Sequence, residues 1–114
     1  MIVRLFAVSI LGWMLGFAWF AIFLPQPLDG RQTDAIVVLT GGAGRIDRGI
    51  ALLEGGAAKR MLISGVDRSV RPVELAAQYQ APETLFACCI TLGREAIDTR
   101  SNAIETARWL ERRD

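Results

Sequence analysis

Three short segments hold the residue types that could do chemistry. The first is Thr40-Gly-Gly-Ala-Gly-Arg45. Glycines let a backbone approach a ligand closely, and free amides at a helix N-terminus attract anions. Arg45 adds a planar donor that can grip a phosphate or carboxylate with two hydrogen bonds. Gly41, Gly42, Gly44 and Arg45 are therefore expected to bind an anion. The pattern is neither G-x-G-x-x-G nor a Walker A loop, since no Gly-Lys-Ser/Thr follows. A tight turn beside a solvated arginine is the plainer alternative.

The second segment opens at Ser64-Gly65 and continues through Asp67 to Glu74. A nucleophilic serine needs a base, and the chain has no histidine and no G-x-S-x-G elbow. Ser64 is better suited to a hydrogen bond with a ligand, or to a plain strand end. Asp67 stands where a ribose-binding acid follows the second strand of dinucleotide-binding folds, but the matching glycine fingerprint is missing. Glu74 could equally be an acid favoured by a helix N-terminus. The third segment is Glu95-Ala-Ile-Asp-Thr99-Arg-Ser-Asn102. Helix capping explains Asp98 or Thr99 on its own. It explains Glu95 and Asn102 together less well. A carboxylate near the glycine loop and Arg45 could act as a general base or hold a hydroxyl, so Glu95 and Asn102 are the catalytic candidates.

Composition narrows the rest. Thirteen basic and 12 acidic residues leave a net charge of +1, with no electrostatic footprint for nucleic acid. The two cysteines cannot build a disulfide scaffold or a four-ligand zinc site, and no metal is expected. No residue pattern specifies a cofactor. Cys88 and Cys89 are adjacent on an expected strand, so their side chains should point to opposite faces. They are expected to be buried structural thiols rather than a mutual disulfide.

These segments need elements to position them, and the charge distribution divides the chain. Leu5 to Leu24 carries no charge, and 17 of its 20 residues are apolar. A helix of that length spans roughly 30 Å, the thickness of a bilayer's hydrocarbon core. Pro25 and Pro27 stop it. The run exceeds a signal-peptide core and has no A-x-A-like cleavage site, so residues 1–25 are expected to be an uncleaved transmembrane anchor. Arg4 and the amino terminus favour a cytoplasmic N-terminus, which in a Gram-negative cell places the remainder in the periplasm. Gly12-x-x-x-Gly16 offers a packing face for a second helix, though this spacing is common by chance.

Residues 26–33 form a polar linker, and 34–114 an α/β domain. Asp34–Thr40 and Arg60–Ser64 read as buried strands, and Ala87–Thr91 as a weaker one. Helices are expected over Arg45–Glu54, Pro72–Tyr79 and from Asp98 or Thr99 to about Arg112. The last should bury Ala103, Ala107 and Leu110. The order βαβαβα predicts a Rossmann-like parallel sheet, whose ligands bind beyond the carboxyl ends of its strands. All three chemical segments fall there. Three strands make a thin sheet, so the domain is expected to be C-terminally incomplete.

Asp34-Ala-Ile-Val-Val-Leu-Thr-Gly-Gly, Arg45, Leu62-Ile-Ser-Gly65, Glu74 and Glu95-x-x-x-Thr99-x-x-Asn102-Ala, taken in order, resemble the YdcF/SanA/ElyC-like family. The resemblance runs from about Asp34 to Leu110, and the N-terminal anchor fits some members. It implies a bacterial protein with a Rossmann-like domain and a role in envelope or cell-wall biogenesis. It also implies that Gly41, Gly42, Arg45, Ser64, Gly65, Glu74, Glu95, Thr99 and Asn102 line one site. Family members commonly continue into a further strand with a histidine-arginine segment, and many have glycine where Thr40 stands. On this basis the expected ligand is anionic and phosphate-bearing, such as a lipid-linked sugar intermediate, and the other partner is the bilayer. The alternatives are a nucleotide or S-adenosylmethionine-binding module and a non-enzymatic envelope assembly factor.

Overall fold

The computed structural model describes residues 1–27 and 30–112. Its first element is α1 (Ile2–Ile22), a 21-residue helix. Among the described residues it is the one helix long and apolar enough to cross a membrane, and none of it is buried by the rest of the chain. Membrane anchors and signal sequences share this form. Its one hydroxyl, on Ser9, donates back to the Leu5 carbonyl at 3.0 Å, so it adds no unsatisfied polar group to the apolar surface.

The remainder is a mixed α/β unit. In chain order it comprises β1 (Ile36–Leu39), α2 (Arg45–Glu54), β2 (Met61–Ser64), α3 (Pro72–Gln78), α4 (Glu83–Cys88), β3 (Ile90–Leu92) and α5 (Thr99–Glu111). The strands form one parallel sheet in the order β1-β2-β3. Ile36 faces Met61 across the first pair, and Met61 faces Ile90 across the second. The central strand is buried at all four positions, Met61 to Ser64. A parallel strand is covered on both faces, and alternate side chains divide between them. Met61 and Ile63 enter a core with Val38, Ile50, Leu53, Leu75, Phe86 and Ile90, drawn from β1, β3 and helices α2 to α4. Leu62 and Ser64 face the other way, toward α5. Fully burying a side chain such as Ile63 contributes about 1.5–3 kcal/mol.

Helix α2 approaches β1 closely because Gly49 has no side chain. A Cβ there would lie 2.5 Å from Val38 Cγ2 and 3.0 Å from Met61 Sδ. Three expectations fail in this unit. The segment Ala87–Cys89 is not strand: Ala87 and Cys88 end α4, Cys89 caps it, and β3 begins only at Ile90. The cysteines are therefore not pleated to opposite faces, and they form a disulfide, with Cys88 exposed rather than buried. Helix α5 does not bury Ala103, Ala107 and Leu110, all of which are exposed. It buries Glu105 and Trp109 instead. Trp109 also lies under the Arg60 guanidinium, 5.1 Å from its ring centre.

Candidate functional site

The carboxyl ends of β1 and β2 meet the first turns of α5. Thr40 continues the β1–β2 ladder through its amide, which donates to the Ser64 carbonyl at 3.1 Å. Its hydroxyl donates to the Gly65 carbonyl at 2.8 Å. Gly65 has a φ of 78°. A Cβ there would meet Thr40 Oγ1 at 2.7 Å and Asn102 Oδ1 at 3.2 Å, so glycine is required by both conformation and space. Thr40, Ser64, Gly65 and Asn102 are thus brought together.

At the bottom of this cluster lies Glu105, a buried carboxylate. Ser64 is fully buried, and its Oγ lies 2.5 Å from Glu105 Oε2 and 2.8 Å from Asn102 Oδ1. A hydroxyl has one proton. It goes to the charged, closer partner, Glu105, while the Asn102 side chain lies beside it through Oδ1. Glu105 also accepts from the Gly65 amide at 3.2 Å and the Glu95 amide at 2.7 Å. Gly93 leaves room for it, since a Cβ at Gly93 would fall on the carboxylate. Burial alone would push the carboxyl's pKa up. The Ser64 hydroxyl and the amides of Glu95, Gly65 and Ala96 outweigh that and hold it below the usual carboxylate range. One side chain therefore ties the ends of β2 and β3 to α5.

The residue pattern did not single out Glu105. Its signal lay in the spacing Asn102, Glu105, Trp109, which places the three on one helical face. Reading only apolar residues for the buried face turned α5 the wrong way.

The other candidates are placed less centrally. Glu95 contributes its amide to the cluster, but its carboxylate pairs with Arg108 at 3.2 Å, and both side chains are 58% exposed. Thr99 is the first residue of α5 and is exposed; Asp98 caps that helix by accepting from the Ser101 amide at 2.7 Å. Glu74 binds Arg71 through the main chain at 2.8 Å and forms an ion pair with its guanidinium. It serves the capping role the sequence allowed as an alternative. Asp67 closes a local turn on Ser69, accepting from its amide at 2.8 Å and its hydroxyl at 2.6 Å. Those bonds hold the Asp67 carboxyl below the usual range. Arg94 fastens the same loop by donating to the carbonyls of Arg68 and Val70 at 2.6 and 2.7 Å.

The glycine loop lies beyond β1. Gly41 and Gly44 have φ of 97° and 74°, the left-handed region in which glycine is preferred. Gly44 is the N-cap of α2 and has no side chain to satisfy the first-turn amides. Among the described residues, no main-chain acceptor takes the amides of Gly41 to Gly44. Arg45 folds back over Gly42, where a Cβ would lie 2.5 Å from Arg45 Nε. The loop therefore presents unspent amides and one exposed guanidinium. Beside it, Gly44 and Arg45 also line an open groove of about 600 Å³ that runs along β1 and α2. Among the described residues, no group of three or more His, Cys, Asp or Glu is placed to hold a metal ion.

No protein-family model, curated protein or solved structure matches this chain.

Proposed function

We propose that this chain is a membrane-anchored protein of the YdcF/SanA/ElyC-like kind. On this reading it supports bacterial envelope biogenesis by binding an anionic, phosphate-bearing ligand beyond the carboxyl ends of its strands. The three-stranded sheet is then that of a Rossmann-like domain. α1 is an anchor in the inner membrane, with a cytoplasmic N-terminus and a periplasmic domain. A lipid-linked sugar intermediate is the ligand class such a placement favours, because anchor and ligand share the bilayer.

The observation that supports this most strongly is the state of the Gly41–Arg45 loop. Donors with no acceptor at the start of a ten-residue helix, next to Arg45, suit a phosphate oxygen. In the neighbouring cluster the Ser64 hydroxyl and the Gly65 and Glu95 amides are spent on Glu105, and the cluster acts as the loop's support. Asn102 is half-buried at the boundary between the two regions, where it can meet a ligand hydroxyl. The arrangement favours binding over bond breaking, because Glu105 is fully occupied and Glu95 is paired with Arg108.

The test is calorimetry on the full-length chain in detergent micelles, with inorganic pyrophosphate and a polyprenyl diphosphate as probes. Both should bind, and the neutral polyprenol should bind at least tenfold more weakly than its diphosphate, since one charge-assisted contact contributes about 1.5–3 kcal/mol. Equal binding of the neutral lipid would remove the phosphate from the reading.

A further inference from the structure

The Cys88–Cys89 disulfide lies at the opposite end of β3 from the Glu95 loop, so its chemistry is independent of the ligand reading. A disulfide stabilises a fold mainly by closing a loop of chain, and the effect grows with the loop's length. A bond between sequence neighbours encloses no such loop. Its presence therefore has little to do with holding the domain together. Two further observations concern its surroundings. Cys88 is an exposed residue on the last turn of α4, on the solvent side of the pair. Cys89 is half-buried against the apolar core and fixed through its main chain. Its amide donates to the Leu85 carbonyl at 2.9 Å, and its carbonyl accepts from the Met61 amide at 2.8 Å. The corner between α4 and β3 thus keeps its main-chain bonds whether or not the sulfurs are joined. The two thiols, once freed, stay adjacent and can close again.

We propose that Cys88–Cys89 is a reversible thiol–disulfide exchange site whose reaction partner is a dithiol. A thiolate of the dithiol attacks the exposed Cys88 Sγ. The S–S bond breaks, and its electron pair leaves on Cys89 Sγ, which takes a proton from solvent. The second thiolate of the partner then attacks the partner's own sulfur in the mixed disulfide and releases Cys88, which is protonated in turn. The partner is oxidised to a disulfide, and the Cys88–Cys89 pair gains two electrons and two protons. Attack at Cys88 is favoured by exposure, while the apolar surroundings of Cys89 keep its sulfur from acting as the entry point.

The experiment uses the full-length chain in detergent micelles, with thiols blocked by maleimide at lysis and adducts counted by intact mass. The native protein should carry no adduct as isolated. It should carry two after dithiothreitol without denaturant, and none again after oxidised glutathione. Peptide mapping without reductant should place the bond between Cys88 and Cys89 of one chain. Two free thiols that oxidised glutathione fails to close, a bond joining two chains, or a bond that yields only after denaturation would each overturn the proposal. Single variants test the direction of attack. In the presence of oxidised glutathione, Cys89→Ser should form its mixed disulfide about tenfold faster than Cys88→Ser, because accessibility and thiolate character set the rate. Equal rates would overturn the assignment of Cys88 as the entry point.

Discussion

Two regions at the carboxyl end of the same sheet are built in opposite ways. The end of β2 is closed on itself: Ser64, Gly65, Glu95 and Asn102 converge on Glu105 or its immediate neighbours, and hydroxyl and amide protons there have acceptors. The loop after β1 is left open: among the described residues no main-chain acceptor takes its glycine amides, and Arg45 is exposed. A buried carboxylate is tolerated only where hydrogen bonds compensate its desolvation. Open donors at a surface carry no such demand, because water satisfies them. On the proposed reading, rigidity belongs to the first region and recognition to the second. Changes in the first should reduce stability, and changes in the second should reduce binding.

The largest expected effect is at Glu105. Glu105→Ala leaves the amides of Gly65, Glu95 and Ala96 and the Ser64 hydroxyl without their acceptor, and should lower unfolding stability by about 3–5 kcal/mol. Denaturant titration followed by circular dichroism measures it, and a loss below about 1 kcal/mol would show that the cluster holds little together. Gly49→Ala comes next. Its methyl group would push against Val38 and Met61, and about 1–3 kcal/mol should be lost as α2 is forced away from β1. Anion binding should weaken with it, since α2 carries the loop; unchanged binding would separate the loop's geometry from the helix behind it.

Arg45→Ala should reverse the pattern. Stability should stay within about 0.5 kcal/mol of the parent, as for other exposed positions. Pyrophosphate affinity should fall by about tenfold, one charge-assisted hydrogen bond's worth. A destabilised protein with normal affinity would exchange the two roles. The smallest effect concerns pH. Glu105 is held below its usual value of 4.5, so its contribution is present above that value and is lost as pH falls through the lower, folded one. Acid unfolding should therefore shift to lower pH when the parent is compared with a chain lacking these bonds. Ser64→Ala, which removes the leading favourable bond, should unfold at higher pH than the parent. Identical acid limbs would show that the hydroxyl does not support the charged form.

Much of this was legible in the residues, and the gaps have physical causes. Helix α2 has the bounds expected for it, Arg45–Glu54, because its apolar spacing and its flanking glycines agree. The strand ending at Ser64 was readable because a continuous apolar run before Ser-Gly leaves few alternatives. Helix α4 was missed because Ala87-Cys88-Cys89-Ile90-Thr91 is compact and β-prone, while tertiary packing of Phe86 against the core decides otherwise. Glu105 was missed because a buried carboxylate reads as a solvent-facing residue until its donors are known. Three of those donors, Gly65, Glu95 and Ala96, are main-chain amides that no residue type reveals. Arg45 and the glycines could be named as candidates from the sequence, since backbone freedom and fixed charge are written in residue type itself.

The most direct measurement is amide chemical shift, residue by residue, on the full-length chain in micelles titrated with inorganic pyrophosphate. Shifts should concentrate at Gly41, Gly42, Gly44 and Arg45, saturate, and largely vanish in Arg45→Ala, while the amides of Gly65 and Glu95 stay in place on Glu105. Saturating shifts at Gly65 and Glu95 with none in the glycine loop, or no saturation anywhere, would contradict the division between a recognising loop and a supporting cluster.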